Sequence, residues 1–520
     1  MLSRRKFMKT SALAGMAAGI HVIDPSFFVN PAIAQTKALT FLSAENLTGN
    51  WDPSSHTTLA QMNLESLVFG YLTRAPMTTD DPEQIVMELA TDMKVIDDHN
   101  IEFSLRKGIK FHGGQNFTAK DVKATYEYAS QPDRPAQWYP GPCRVDIIDD
   151  YKIRVNTEES GYPASLFWFL SAFLPIMSAE DLKDGNKLIS ERPNGTGAYR
   201  FSRQEGNNTI LEAFDDFHLG KPQIPLINYD FVGDATTRTL ALLSGEADLI
   251  ERLESEQVDT ILGSDGFKVS KAVSVENKYL WFRCSKEPFN DWRLRRAACH
   301  AIDRTVIWDV LGVSGTPSSS HISPVKFGYA DVPNYPEFDP DECQRLLAEA
   351  GYPNGEGLPE LEYITSIGFY PKTKEYGEII TAMLQEQGFP VKLNVMEIAA
   401  WNEVLYDRPG GGPGHMIDCG WSTGSPEPDL VLRTHFHSSS KRICGIEDER
   451  IDAALDKERN EANKDARKQL LQEETLPLLA ELTPALSLFT SVFIHGMVSN
   501  LDGMYLYPNG MLDANKASFS

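Results

Sequence analysis

Short runs of β-branched and aromatic residues alternate along the chain with segments whose apolar positions recur every three to four residues. The first pattern puts alternate side chains on one face of a strand, and the second builds a single apolar stripe on a helix. Strands are expected at ALTFLS from residue 38, IEFSLR from 101, YKIRVN from 151, NYDFV from 228, KYLWFR from 278, LEYIT from 361, VKLNVM from 391 and HMIDCGW from 415. Helices are expected at TAKDVKATYEYAS with Thr118 as N-cap, DATTRTLALLSGE, DWRLRRAACHAIDRTVIWDVLG, DPDECQRLLAEAG, YGEIITAMLQEQG and residues 447–476. Gly351 and Gly388 follow two of these helices where a left-handed C-cap belongs. Strands interleaved with helices throughout indicate α/β domains. RPGGGPG at 408–414 is the one stretch with the composition of a surface loop.

Size and charge narrow this picture. A chain of 520 residues with 42% hydrophobic content buries large cores and is expected to form two or more domains. Residues 1–34 read as a twin-arginine export signal, with Arg4 and Arg5 before Phe7 and Lys9, the weakly apolar SALAGMAAGI, and an Ala32-Ile33-Ala34 cleavage site that leaves Gln35 first. That apolar stretch is half the roughly 20 residues a membrane span needs. No cysteine precedes Cys143 to carry a lipid, so a soluble protein of the periplasm is expected. The formal net charge is −24, and −27 once the leader's four basic residues and one acid are removed. Such acidity argues against nucleic acid and anionic membrane as partners, since both demand basic surface.

The six cysteines, at 143, 284, 299, 343, 419 and 444, form no CxxC pair and no zinc-spaced cluster with histidine. No metal or cofactor is expected. In an oxidising compartment Cys419 and Cys444, both beside loop-forming sequence, are the closest plausible disulfide. Cys299 and Cys343 lie in helical runs and read as buried free thiols.

Several segments arrive in a recognisable order. ELATDMKVIDDHNIEFSLRKGIKFHGGQNFTAKDV at 88–122 resembles a hairpin, an LR-x-G-x-x-F-H-x-G turn and an A-x-DV helix start. PNGTGAYRF from 193, LALLSGEADLI from 240, EPFNDWRLRRAACHAIDR from 287 and FDPDECQRLLAEAGYPNG from 338 follow. Over nearly its whole length the chain resembles the peptide/nickel-type extracytoplasmic solute-binding proteins of ABC importers, family 5. Elementary physics gives most of these residues structural work. Gly195 and Gly197 suit a turn with positive φ, Asp291, Arg293 and Arg296 a helix start with surface pairs, and Phe111 and Tyr199 a core.

The resemblance implies a two-lobed α/β periplasmic binding protein fold of type II, with an extra subdomain and a hinge. Lobe I is expected to take residues 35–272 plus 487–520, with the subdomain at about 78–192, and lobe II residues 273–486. A monomer that captures a small molecule between the lobes, passes it to a membrane permease and catalyses nothing is implied.

In the family one contact segment has the form G-W-x-x-D-x-x-D-P-D. Here it runs from Gly420 to Asp429 as GWSTGSPEPD. Trp421 is the first candidate contact, because an indole offers a flat face and one N–H donor. The position where peptide binders hold the Asp that pairs with the peptide ammonium is Gly424. Losing one partner of a buried charge pair costs about 2–5 kcal/mol, so either Glu427 or Glu45 substitutes or the ligand lacks that ammonium, as an opine, a sugar conjugate or a modified peptide would. Ser422, Thr423 and Ser425 are then neutral hydrogen-bond candidates. Glu45, Asn46 and Trp51, in the loop after the first strand, form a second expected contact region.

Two rival readings share these residues. Gly420-Trp421-Ser422-Thr423-Gly424 matches the G-x-S-x-G elbow of a serine hydrolase, with His435, His437 and His495 as downstream bases, but Pro426 and Pro428 block the helix that motif needs. His435-x-His437 suggests nickel or a metal chelate, yet THFHSSSK reads as a polar loop with no carboxylate triad nearby.

Overall fold

The computed structural model describes residues 37–47, 50–55, 59–131, 143–183, 191–367, 370–406, 412–421, 423–440 and 442–520. The expected export signal lies outside them.

Ten strands of one large sheet organise the chain. The first group is β1 (Leu39–Ser43), β2 (Tyr199–Glu205), β3 (Asn208–Ala213), β4 (Leu226–Phe231) and β5 (Leu249–Glu251). Then come β6 (Phe267–Phe282), β7 (Leu361–Ile367), β8 (Val391–Glu397), β9 (Met416–Trp421) and β10 (Ala485–Val498). Their order across the sheet is β8-β7-β9-β6-β10-β5-β1-β4-β3-β2, with the short strand Gly315–Thr316 added on β10.

The sheet holds two parallel groups. β1 runs parallel to β4 and β5, and β7 runs parallel to β8 and β9. The antiparallel pair β6 and β10 joins them. Residues 277–282 of β6 pair with β9, while residues 495–497 of β10 pair with β5. At about 3.3 Å per residue, the 16 residues of β6 are long enough to serve both groups. The register between β6 and β10 breaks between Val273 and Asn277, midway between the groups.

Each group has its own core. Leu39, Phe41, Tyr199, Leu211, Ile227 and Tyr229 pack together on the first. Leu280, Phe282, Tyr363, Ile364, Ile417 and Leu486 do so on the second. A separate four-stranded sheet, built from Ala90–Asp97, Asn100–Leu105, Lys152–Asn156 and Arg144–Asp149 in that order, packs on the helix Ala119–Ala129 around Phe103, Phe111, Val122 and Val145. Thr118 and Asp121 close the start of that helix as a capping box. The architecture is the two-lobed α/β fold expected from the sequence.

Local chemistry explains where the expected elements change. The single helix expected from Asp291 onward is two, Trp292–His300 and Arg304–Leu311, because the Asp303 side chain accepts from Thr305 N and starts a new one. Residues 447–476 break in the same way at Asn463, which caps Lys464–Leu470. Gly195 and Gly197 do not adopt positive φ. They are glycine because a Cβ on either would lie 2.0 Å from Val68 O or 2.6 Å from Leu67 O. Asp291 does cap its helix and pairs with Arg293, whereas Arg296 donates to the carbonyls of Ala480 and Asn334. Among the described residues no helix is long and apolar enough to cross a membrane.

Candidate functional site

In parallel sheets ligands gather beyond the carboxyl ends of the strands, where side chains converge and backbone groups are left unpaired. Here the carboxyl ends of β1 and β5 deliver Glu45 and Arg252. Ser43 Oγ and Ala44 N both donate to the buried Glu251 carboxylate, at 2.6 and 2.8 Å, which fixes the turn out of β1. Arg252 has φ +52°, a left-handed conformation that costs a non-glycine residue about 1–3 kcal/mol. That geometry turns its guanidinium into an ion pair with Glu45. Burial opposes its charge, but the carboxylates of Glu45, Glu251 and Glu276 outweigh it and hold the group above its ordinary range.

The second group presents Trp421 at the carboxyl end of β9. Its ring meets His435 edge-on at 4.5 Å, and the Arg442 guanidinium lies 4.5 Å from its centroid. Trp421 Nε1 is shielded from solvent and has no acceptor among the described residues. Beside it, Tyr370 OH donates to Gly420 O at 3.2 Å. Beneath lies a fully buried pair, Lys278 Nζ at 3.4 Å from Asp418 Oδ2, with the ammonium 3.3 Å from the centre of the Tyr370 ring. Tyr376 OH donates to the same Asp418 oxygen at 2.6 Å.

Glu276, on β6 where the register breaks, stands between the two sets. Its carboxylate lies on the backbone of Gly420, so that a Cβ there would be 2.7 Å from Glu276 Cδ. Ser491 Oγ, from β10, donates to Oε1 at 2.8 Å. Burial raises its pKa, against the pull of the Ser491 bond, Lys278 and Arg252.

Of the residues singled out in the sequence, Trp421 and Glu45 take part in this constellation. Ser422 lies outside the described residues. Asn46 is exposed. Trp51 is a core residue, packed edge-on against Phe201 at 5.3 Å. Thr423 and Ser425 are buried and already used, because the Lys326 ammonium donates to Thr423 O, Thr423 Oγ1 and Ser425 O, while Ser425 Oγ accepts from Glu427 N. Burial drives Lys326 down to about 7 despite the nearby Glu427. Glu427 is not available to a ligand either. Both its oxygens accept from Arg467, at 2.9 and 2.6 Å, and Arg467 also binds Glu458.

Arg252, Glu276, Lys278, Tyr370 and Ser491 were not legible as site residues. The one available signal was Lys278 itself, a charge at the head of the apolar run YLWF. The expected Cys419–Cys444 disulfide is not formed. All six cysteines are free thiols. Cys419 Sγ faces Gly420 O, whereas Cys444 Sγ faces His435 O and the Cys284 thiol.

The rival chemistries find little support in this geometry. After Trp421 ends β9, the next helix begins only at Asp429, so the strand-turn-helix of a nucleophile elbow is absent among the described residues. His435 is not in a surface loop: it is buried in the helix Asp429–Phe436, and burial pushes it well below its ordinary pKa. His437 turns instead toward Asp452 and Asp456. Among the described residues no group of three or more His, Cys, Asp or Glu side chains could hold a metal ion.

Comparison with known proteins agrees with this architecture. The chain is 27% identical over 424 residues to heme-binding protein A of Haemophilus influenzae, covering 74% of this chain and 75% of that protein. It is 25% identical over 407 residues to the oligopeptide-binding protein AppA of Bacillus subtilis, covering 73% and 72%. The solved structure of HbpA2 from Haemophilus parasuis superposes with a TM-score of 0.78 at 22% identity, over 93% of this chain and 100% of that one. Residues 84–442 match the profile of the bacterial extracellular solute-binding proteins, family 5 Middle, and the chain belongs to that family.

Proposed function

We propose that the protein is the periplasmic solute receptor of an ABC importer: it closes on one small molecule between its lobes, presents the closed form to the membrane permease, and makes and breaks no bonds. The observation that carries this reading is that the carboxyl ends of two separate parallel groups, one bearing Glu45 and Arg252 and the other Trp421 and Tyr370, meet across the continuous strands β6 and β10. Lobe I comprises about residues 35–272 and 487–520, with the four-stranded sheet as its subdomain, and lobe II about 273–486. The hinge lies at the register break, where a few residues can absorb the dihedral change of closure.

Closure is driven by the ligand's preference for the closed form. Moving the population from 1:99 to 99:1 takes about 5.5 kcal/mol of differential binding. A Trp421 stack with several hydrogen bonds from both lobes supplies energy of that order. Export by the twin-arginine route and a monomeric state complete the proposal.

The relatives named above bind heme or oligopeptides, and an oligopeptide-like molecule, an opine or a sugar conjugate suits a cleft of mixed aromatic and charged groups. Thermal denaturation of the mature protein against dipeptides, opines, sugar conjugates and nickel tests this. One organic class at 100 times its Kd is expected to add about 2.7 kcal/mol. Stabilisation by nickel alone would contradict it.

A further inference from the structure

The four-stranded subdomain meets lobe II along a seam made by side chains. Among the described residues no strand ladder and no backbone-to-backbone hydrogen bond joins residues 78–192 to residues 273–486. The Glu83 carboxylate instead reaches across to two ammoniums, Lys464 at 2.7 Å and Lys468 at 2.8 Å. Those lysines stand four apart on the helix Lys464–Leu470 and so share one face. Burial opposes ionisation of Glu83, yet the two ammoniums hold its carboxyl below the usual range. On the same seam the Arg459 guanidinium lies 3.6 Å from the centre of the Tyr162 ring and donates to Ser160 O at 3.4 Å. Leu430 packs with Tyr162, and Phe169 with Phe327 at a ring separation of 5.3 Å.

We infer that Glu83 with Lys464 and Lys468, and Tyr162 beneath Arg459, form an electrostatic latch that shuts the subdomain onto lobe II, so that part of the drive to close comes from the chain itself and is set by ionic strength. The inference rests on the two-lobe reading above and adds a control on the same cleft. Two features favour a seam that opens and shuts. Halves joined by side chains alone part without loss of secondary structure, and a seam of ion pairs, a cation on a ring and a few apolar contacts is of the kind across which domains move. The side chains of Glu83, Lys464 and Lys468 also stay 22%, 39% and 42% exposed, so dissolved salt reaches them. The range of such attractions shrinks from about 8 Å at physiological salt to about 3 Å at 1 M, and the latch weakens with it. A ligand then supplies only the remainder of the differential binding that closure takes.

Distance measurement between two spin labels on the mature protein, with no ligand added, tests this. The labels go on Lys94→Cys in the subdomain and Glu386→Cys in lobe II, both exposed positions, while the six native thiols are buried from the reagent. In about 0.05 M salt a short and a long separation are expected, and Glu83→Gln should lower the ratio of short to long at least about threefold. Raising the salt to about 1 M should lower the ratio in the parent by a similar factor and change it little in Glu83→Gln. Glu205→Gln, which removes an exposed partner of Arg203 on β2, is the control and should leave the ratio unchanged. Two separations whose ratio ignores both salt and Glu83→Gln, or a ratio that Glu83→Gln raises, overturn the latch and leave the receptor reading intact. A single separation common to parent and variant at every salt concentration counts against lobe closure itself and removes this inference with it.

Discussion

The ring of Phe173 occupies the space into which any side chain at Gly424 would have to grow. An ideal Cβ on Gly424 would lie 1.8 Å from Phe173 Cε2. Phe173 belongs to the core of the four-stranded sheet, whereas Gly424 follows β9, so the departure from the peptide-binding pattern is matched by a contact from another part of the chain. Asn509 Nδ2 then donates to Gly424 O at 2.9 Å and holds that backbone in place.

Restoring the missing acid by Gly424→Asp is therefore expected to destabilise the fold by about 2–4 kcal/mol, combining overpacking with a desolvated carboxylate. Adding Phe173→Ala should recover part of that loss, a coupling that urea denaturation of the two single variants and the double variant measures. Strict additivity would contradict the contact.

Glu427 and Glu458 share one guanidinium. Arg467→Ala strands two buried carboxylates and is expected to cost about 3–5 kcal/mol, read from the midpoint of chemical unfolding. Glu427→Gln, by contrast, should leave ligand affinity within a factor of about two, since that side chain faces Arg467 rather than the cleft. A large affinity loss in Glu427→Gln would restore it as a contact.

Acid should weaken the fold through its histidines. Burial lowers His112, His218 and His321 to about 4, and His495 to about 3, from an ordinary value of 6.5. These groups stay neutral in the folded protein but take up protons once unfolded, so their contribution is complete above about pH 6.5 and is lost as the pH falls toward 4. His321, whose Nε2 lies 3.0 Å from Ala485 O, accounts for up to about 3 kcal/mol of this on its own. Calorimetric melting from pH 7 to 4 should show the decline, and His321→Gln should flatten it. An unchanged slope in that variant would contradict the assignment.

Much of the scaffold was legible in the sequence, and much of the cleft was not. Thr118 as a cap, the αL glycines at 351 and 388 and the parallel strands from 361, 391 and 415 follow from local rules that each segment obeys by itself. The first half of β6 was missed because FKVSKAV is partly exposed along its length and so lacks a clear alternation. Glu276 and Arg252 were missed for a different reason: their roles depend on partners far along the chain, at Gly420, Ser491 and Glu45. The core packing of Trp51 and the Arg467 pairing of Glu427 were hidden for the same reason, since a Trp that packs on Phe201 and a Glu that meets an Arg look no different in sequence from ligand contacts.

Cysteine pairing separates the sequence expectation from the structure. Cys284 N donates to Cys444 O at 2.7 Å, and the neighbouring Cys284 thiol helps burial hold the Cys444 thiol above its ordinary range. Mild oxidation with diamide followed by peptide mapping should link Cys284 to Cys444 and leave Cys419 open to alkylation after unfolding. A Cys419–Cys444 link would contradict the packing described here.

The central claim, that two lobes close on a guest they do not transform, is tested most directly by small-angle scattering of the mature protein with and without the best-binding compound, with mass analysis of the compound afterwards. The radius of gyration should fall on saturation and the compound should be recovered unaltered. A radius that does not change, or a compound converted at a rate that one side-chain substitution abolishes, would contradict the account.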